Sequence, residues 1–138
     1  MKKDVLMKLV STQSVDGEST ETELITQAVF EKTGEDSYKI EYAESEATGF
    51  KGSKTTLTVD GDRQVSVDRT GKSASNLIVE KDVKHHCHYG TPYGDFTVGI
   101  NTNAIVNELN ESGGKLYLNY TVDINTSYIS DNEILIVI

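Results

Sequence analysis

One cysteine, one proline and no tryptophan occur in this chain of 138 residues, and each scarcity removes a class of explanation. A lone Cys87 cannot close an internal disulfide, and a buried thiol suits a reducing compartment, so a cytoplasmic protein is expected. A lone Pro92 and the absence of any low-complexity tract leave no linker at which a domain boundary could fall. Residues 1–138 therefore read as a single domain, long enough to bury about two thirds of its unfolded surface without staples. Arginine is scarce as well: only Arg63 and Arg69 stand among 13 basic residues, against 22 acidic ones, for a net charge of −9. Phosphate backbones and anionic bilayers repel such a chain, so neither nucleic acid nor membrane is an expected partner.

Long apolar runs are missing too. Met1-Lys2-Lys3 followed by Val5-Leu6-Met7 opens like an export signal, but Lys8 ends the run and no small-residue cleavage site follows. The apolar tail 134–138 falls far short of the roughly 20 residues that span a bilayer. It reads as a buried strand.

What the sequence has in abundance is alternation. In 115–125, Leu116, Leu118, Tyr120, Val122 and Ile124 alternate with polar or exposed partners, the period of a sheet with one buried face. Phe96, Val98 and Ile100 repeat it, as do Tyr38, Ile40 and Tyr42. Turn compositions such as Asp16-Gly17, Asp60-Gly61-Asp62 and Ser112-Gly113-Gly114 cut the chain into about ten strands. The best helical candidate, 103–111, places Ile105, Val106 and Leu109 on one face, but a strand running to the Gly113-Gly114 turn explains it as well and is preferred. Short loops favour sequential antiparallel pairing, and closure removes the two exposed edges. The expected fold is all-β, a single up-and-down barrel of about 8–10 strands, with 5–10 and 133–138 as the closing pair.

Parity along the strands nominates a site. If Tyr38, Ile40 and Tyr42 face inward, an unbulged continuation turns Glu44 and Glu46 inward as well. Val65 and Val67 likewise bring Arg69 to the inner side. If both are inside, Glu46 and Arg69 must pair, because either charge buried alone costs several kcal/mol. The functional reading makes Arg69 the anchor of an anionic head group, oriented by Glu46, with Tyr42, Tyr89 and Tyr120 lining the cavity. The plainer alternative is a structural ion pair at the barrel mouth.

His85-His86-Cys87-His88 is the one local cluster with metal-like spacing, His86 and His88 sharing a strand face. Zinc needs a third protein ligand, which no second cluster supplies, so no metal or other cofactor is expected. Surface histidines with Cys87 and Tyr89 packed inward are the favoured reading. Thr91-Pro92-Tyr93-Gly94 reads as a rigid turn, with Tyr93 as a lid over the barrel mouth in the functional alternative.

Tyr89-x-Thr91-Pro92-Tyr93-Gly94, Arg69-x-Gly71, Glu46-x-Thr48-Gly49-x-x-Gly52-x-x-Thr55 and the opening Lys2-Lys3-Asp4-Val5-Leu6, with Thr12-Gln13 and Asp16-Gly17 following, occur in order along the chain. Together they resemble the YwiB-like family of small uncharacterised bacterial proteins, a domain of unknown function described as a lipocalin-like or calycin-like β-barrel. The resemblance spans essentially the whole chain and implies a barrel. It carries no functional residues, since no activity is established for that family. The Gly-x-Trp signature of true lipocalins is missing, and the Arg-x-Tyr grip of fatty-acid-binding barrels is too, because no Lys or Arg follows Lys115.

The favoured function is therefore a non-catalytic barrel that binds a small, anionic and partly apolar molecule through Arg69, Glu46, Tyr42, Tyr89, Tyr93 and Tyr120. Two alternatives stand beside it: a structural or interaction protein whose barrel is filled by its own side chains, and an enzyme using interior Glu, Arg and Tyr, for which no complete nucleophile, base and orienting set is visible. Monomer and homodimer are both compatible with the sequence.

Overall fold

Alternating apolar positions become ten antiparallel strands, and each strand lies beside its neighbour in sequence. The structure, a computed structural model, describes residues 2–45, 51–71, 74–91, 94–124 and 127–138. In chain order the strands are β1 (Lys2–Val15), β2 (Glu18–Lys32), β3 (Ser37–Ala43), β4 (Ser53–Asp60), β5 (Gln64–Gly71), β6 (Ser75–Glu80), β7 (His85–Thr91), β8 (Gly94–Asn110), β9 (Gly113–Ile124) and β10 (Ser127–Val137). They form one closed barrel, β1 completing the ring against β10 with Val10 opposite Leu135 and Ser11 opposite Ile134. The terminal segments are thus the closing pair that their uncharged edges predict. No helix long and apolar enough to cross a membrane occurs among the described residues.

The first hairpin has the chemistry that its turn demands. Asp16 and Gly17 both take positive φ, 50° and 82°, which matches the right-handed twist of the strands they join and favours Asp-Gly. Val15 and Glu18 then pair, and the register runs without a slip to Lys2 opposite Glu31.

Residues 103–110 belong to the long strand β8, and Glu111 opens the turn that follows. The strand's alternation is broken for a physical reason: the β8–β9 register shifts between Thr102 and Ala104. Ile100 and Thr102 therefore face inward before the bulge, opposite Val122 and Tyr120, while Ile105, Asn107 and Leu109 share the inner side after it. The helix-like spacing of Ile105, Val106 and Leu109 comes from Val106, an apolar residue on the outward face, 45% exposed.

One half of the interior is filled by the chain itself. Met7, Ile40, Leu57, Val59, Val65, Val79, Leu116, Leu118 and Ile136 are all but inaccessible to solvent. At that end Phe30 and Tyr38 stack with ring centres 5.6 Å apart, and the Tyr38 hydroxyl donates to the Leu109 carbonyl at 3.0 Å. Asn107 Nδ2 donates to the Gly61 carbonyl at 2.8 Å, tying β8 to the β4–β5 turn. This plug fixes one end and leaves function to the other.

Candidate functional site

At the open end the inner face changes from apolar to polar without changing phase. Tyr42 lies opposite Thr55, Thr55 opposite Arg69, Arg69 opposite Ser75, Ser75 opposite Tyr89 and Tyr89 opposite Phe96. These pairings make one inward row across six consecutive strands, β3 to β8. A second row closes the far wall: Thr20 opposite Gln13, Gln13 opposite Asn132, and Asn132 opposite Tyr120. Between the rows lies a hollow of about 340 Å³, bordered by Tyr42, Glu44, Thr55, Arg69, Tyr89 and Tyr120 on its polar and aromatic side and by Leu9, Val67, Leu77 and Ile134 beneath.

A second hollow, about 250 Å³, adjoins it. The two share Gln13, Leu77, Tyr89, Tyr120 and Asn132 as a common wall. Its remaining lining is almost wholly apolar: Phe96, Val98, Ile100, Val122, Ile124 and Ile129, with Ser130. A polar chamber and an apolar chamber thus meet at Tyr89 and Tyr120. A larger surface groove of about 380 Å³ lies at the plugged end, but it is lined by solvent-facing Lys3, Lys32 and Glu111 and lacks a buried polar group.

Arg69 is 8% exposed, and its guanidinium carbon lies 5.4 Å from the centre of the Tyr89 ring. Such a stack holds the planar cation by roughly 0.5–2 kcal/mol and fixes its orientation. The other arginine, Arg63, is a surface residue that pairs with Asp60 and Glu80. Glu44 accepts a hydrogen bond from Thr55 Oγ1 at 2.8 Å. Burial, then the Glu44 carboxylate, pushes the Tyr42 phenol far above its usual range. Burial also raises the Tyr120 phenol, with Tyr89 adding to it. Both hydroxyls stay protonated at any physiological pH, so they donate hydrogen bonds and do not serve as bases.

Four of the residues nominated by parity, Arg69, Tyr42, Tyr89 and Tyr120, border this one hollow, and Glu44 joins them as its inward phase requires. Glu46 and Tyr93 lie outside the described residues, so the Glu46–Arg69 pairing and the Tyr93 lid do too. The Thr91-Pro92-Tyr93-Gly94 turn falls there in part. Sequence reasoning passed over Ser11, Gln13, Thr20, Thr22, Thr55, Ser75 and Asn132, which also line the hollow. Their signal was present: Ser11 and Gln13 continue the inward phase of Met7 and Leu9, and Thr22 and Thr20 that of Leu24. A polar tail on an apolar phase marks the wet end of a barrel.

The histidine segment takes the expected strand geometry. Cys87 is buried, while His86 and His88 are exposed on the other face. His88 Nε2 lies 3.4 Å from Asp95 Oδ2, and His85 Nε2, half-buried, meets Glu80 at 2.7 Å. Among the described residues no three His, Cys, Asp or Glu side chains gather as a metal site would require.

Comparison with known proteins places this architecture. The crystal structure of ywiB protein from Bacillus subtilis superposes with a TM-score of 0.74 over 99% of this chain and 92% of that one, at 17% identity, a likeness of fold. No curated protein matches the sequence. The family described as Domain of unknown function (DUF1934) matches residues 7–136, nearly the whole chain, and this ten-stranded barrel belongs to that family.

Proposed function

We propose that this barrel is a non-catalytic binding protein for a small amphiphilic anion, held in the open half of the barrel. The observation that carries the reading is Arg69: a buried guanidinium, stacked on Tyr89, at the border of a hollow in a chain of net charge −9. An anionic head group entering the hollow would meet this guanidinium on its border. The fork of N–H donors on a guanidinium serves several acceptors at once, so a contact with the wall is compatible with a bidentate grip on carboxylate or phosphate.

The neighbourhood orients the ligand. Glu44 occupies the Tyr42–Thr55 side of the hollow and repels an anion there, which sets the head group toward Tyr89. Beyond Tyr89 and Tyr120 the apolar chamber receives the rest of the molecule. Together the chambers fall within the size range of small-molecule sites. An antiparallel barrel with an open end, the arrangement of lipocalin-like and calycin-like carriers, supports the reading by architecture alone. The hollows favour this reading over a barrel filled by its own side chains, and the phenols of Tyr42 and Tyr120, held protonated, serve as donors to a ligand.

Native mass spectrometry of gently purified protein, followed by titration with 8-anilinonaphthalene-1-sulfonate, tests this. The expected result is saturable binding of the probe, displaced by medium-chain alkyl carboxylates and lost in Arg69→Ala. Equal binding by Arg69→Ala, or none by either protein, overturns it.

A further inference from the structure

Apart from the wall it shares with the polar chamber, the apolar chamber has a single polar lining residue, Ser130. Ser130 belongs to the register row Ile100–Val122–Ser130, one inward step nearer the open end than Asn132, and is 1% exposed. A hydroxyl in an apolar wall must have its hydrogen bonds accounted for.

A serine hydroxyl offers two lone pairs and one proton. On Ser130 the lone pairs face amide donors: Asn132 Nδ2 lies 2.9 Å from Oγ, and Gln13 Nε2 reaches it across the β1–β10 seam at 3.5 Å. The Asn132 amide cannot be turned round, because the same Nδ2 lies 3.4 Å from the Ser130 carbonyl, an oxygen that only accepts. Gln13 stands too far off to take the proton in either orientation, since an O–H···O bond spans about 2.5–3.0 Å. The Ser130 proton therefore has no acceptor among the described residues, and the space beside it is the apolar chamber.

We infer that the ligand carries an acceptor oxygen, carbonyl or hydroxyl, on its apolar part, and that Ser130 reads it. The inference rests on the anion-binding reading above: Arg69 takes the head group, and the rest of the molecule passes Tyr89 and Tyr120 into the chamber that Ser130 lines. A plain alkyl chain there leaves the hydroxyl against hydrocarbon, whereas an oxygen at the same place receives its proton. Buried polar groups discriminate in this way because the wrong ligand leaves them unpaired. The ligand class is thus a small oxo or hydroxy acid with its oxygen in the tail, rather than a plain fatty acid.

Competition against 8-anilinonaphthalene-1-sulfonate is the test, with octanoate and the positional series of oxo- and hydroxy-octanoates as competitors. Wild type, Ser130→Ala and Ser130→Cys are compared, with far-ultraviolet circular dichroism confirming each fold. The alanine variant keeps the backbone carbonyl that Asn132 Nδ2 also faces, and the cysteine variant fills the same place with a weak donor. At least one oxygenated isomer is expected to bind the wild type about three- to tenfold more tightly than octanoate, the yield of one net hydrogen bond, and this ratio is expected to fall to about one in both variants. A wild type that binds octanoate and every isomer alike overturns the inference and leaves the anion reading standing, and so does an advantage that survives both substitutions. Failure of every carboxylate to displace the probe overturns both.

Discussion

Arg69 and Tyr89 stand on strands two apart, β5 and β7, yet their side chains meet across Ser75 with the guanidinium carbon 5.4 Å from the ring centre. The aromatic face holds the cation flat against the wall at the junction of the two chambers. Replacing Arg69 by Lys keeps the charge and loses the planar fork, so the proposed anion should bind about tenfold more weakly. Arg69→Ala removes a charge-assisted pair worth about 1.5–3 kcal/mol, roughly a 10–150-fold loss in affinity. Isothermal titration of both variants checks the order; a lysine variant that binds as well as the wild type would show that charge alone suffices.

Thr102 sits at the β8 bulge opposite Tyr120, and its Oγ1 is buried without a hydrogen-bond partner among the described residues. A buried hydroxyl with nothing to bond costs about 1–3 kcal/mol. Thr102→Val, which swaps the hydroxyl for a methyl of similar size, should therefore raise stability by about 1 kcal/mol in denaturant unfolding. A loss of stability would mean that the hydroxyl is bonded in solution.

The ring of ten strands and the inward turn of Arg69 could be read from the sequence because both depend on period 2, which survives any loop conformation. Val65, Val67 and Arg69 lie on one unbulged strand, so parity carried from the first to the last. The strand preferred for 103–111 is there as far as Asn110, but parity could not be carried into it from Ile100, because one extra residue at Thr102–Ala104 shifts the phase, and outward Val106 beside inward Ile105 gives it a helix-like look. The rest of the site was hidden for another reason. Gln13 and Asn132 are unremarkable alone, and only the β1–β10 closure, a contact between chain ends, sets them side by side opposite Arg69.

Cys87 points inward on β7, and its Sγ accepts a hydrogen bond from the Ile78 amide of β6 at 3.3 Å. Burial pushes its thiol up, and the Ile78 amide only partly offsets this. The thiolate is therefore sparse at neutral pH, and labelling by Ellman's reagent should be slow in the native protein and complete in denaturant. Cys87→Ala leaves the Ile78 amide without its acceptor and should cost about 1–3 kcal/mol. Rapid native labelling would show instead that the β6–β7 seam opens.

Glu80 gathers three partners at the surface: His85 Nε2 at 2.7 Å, Gln64 Nε2 at 2.9 Å and Arg63 Nη1 at 3.3 Å. The hydrogen bond from His85, ahead of that from Gln64, holds its carboxyl below the ordinary 4.5. The unfolded chain thus binds a proton at a higher pH than the folded one. The stabilisation from Glu80 is complete above about 4.5 and fades as the pH falls through the lower, folded value. Unfolding midpoints measured from pH 6 to pH 3 should fall less steeply in Glu80→Gln than in the wild type. Parallel curves would sink this assignment.

Gly99 is required by a charge pair on the outside of the barrel. It lies opposite Asp123, and a Cβ at this position would come within 2.5 Å of Asp123 Oδ1 and 2.6 Å of Lys84 Cε. Lys84 Nζ sits 2.9 Å from Asp123 Oδ2, and Asp123 is buried, with Asn101 Nδ2 at 3.4 Å from the same oxygen. A methyl group must displace the lysine or the carboxylate, and a buried carboxylate that loses its partner is costly. Gly99→Ala should cost about 1–3 kcal/mol, within the range of overpacked sites. If the damage runs through the ion pair, Lys84→Ala will cost less in the Gly99→Ala background than in the wild type, because the pair is already broken there. Strictly additive losses in this double-mutant cycle would place the strain in the β8 backbone instead.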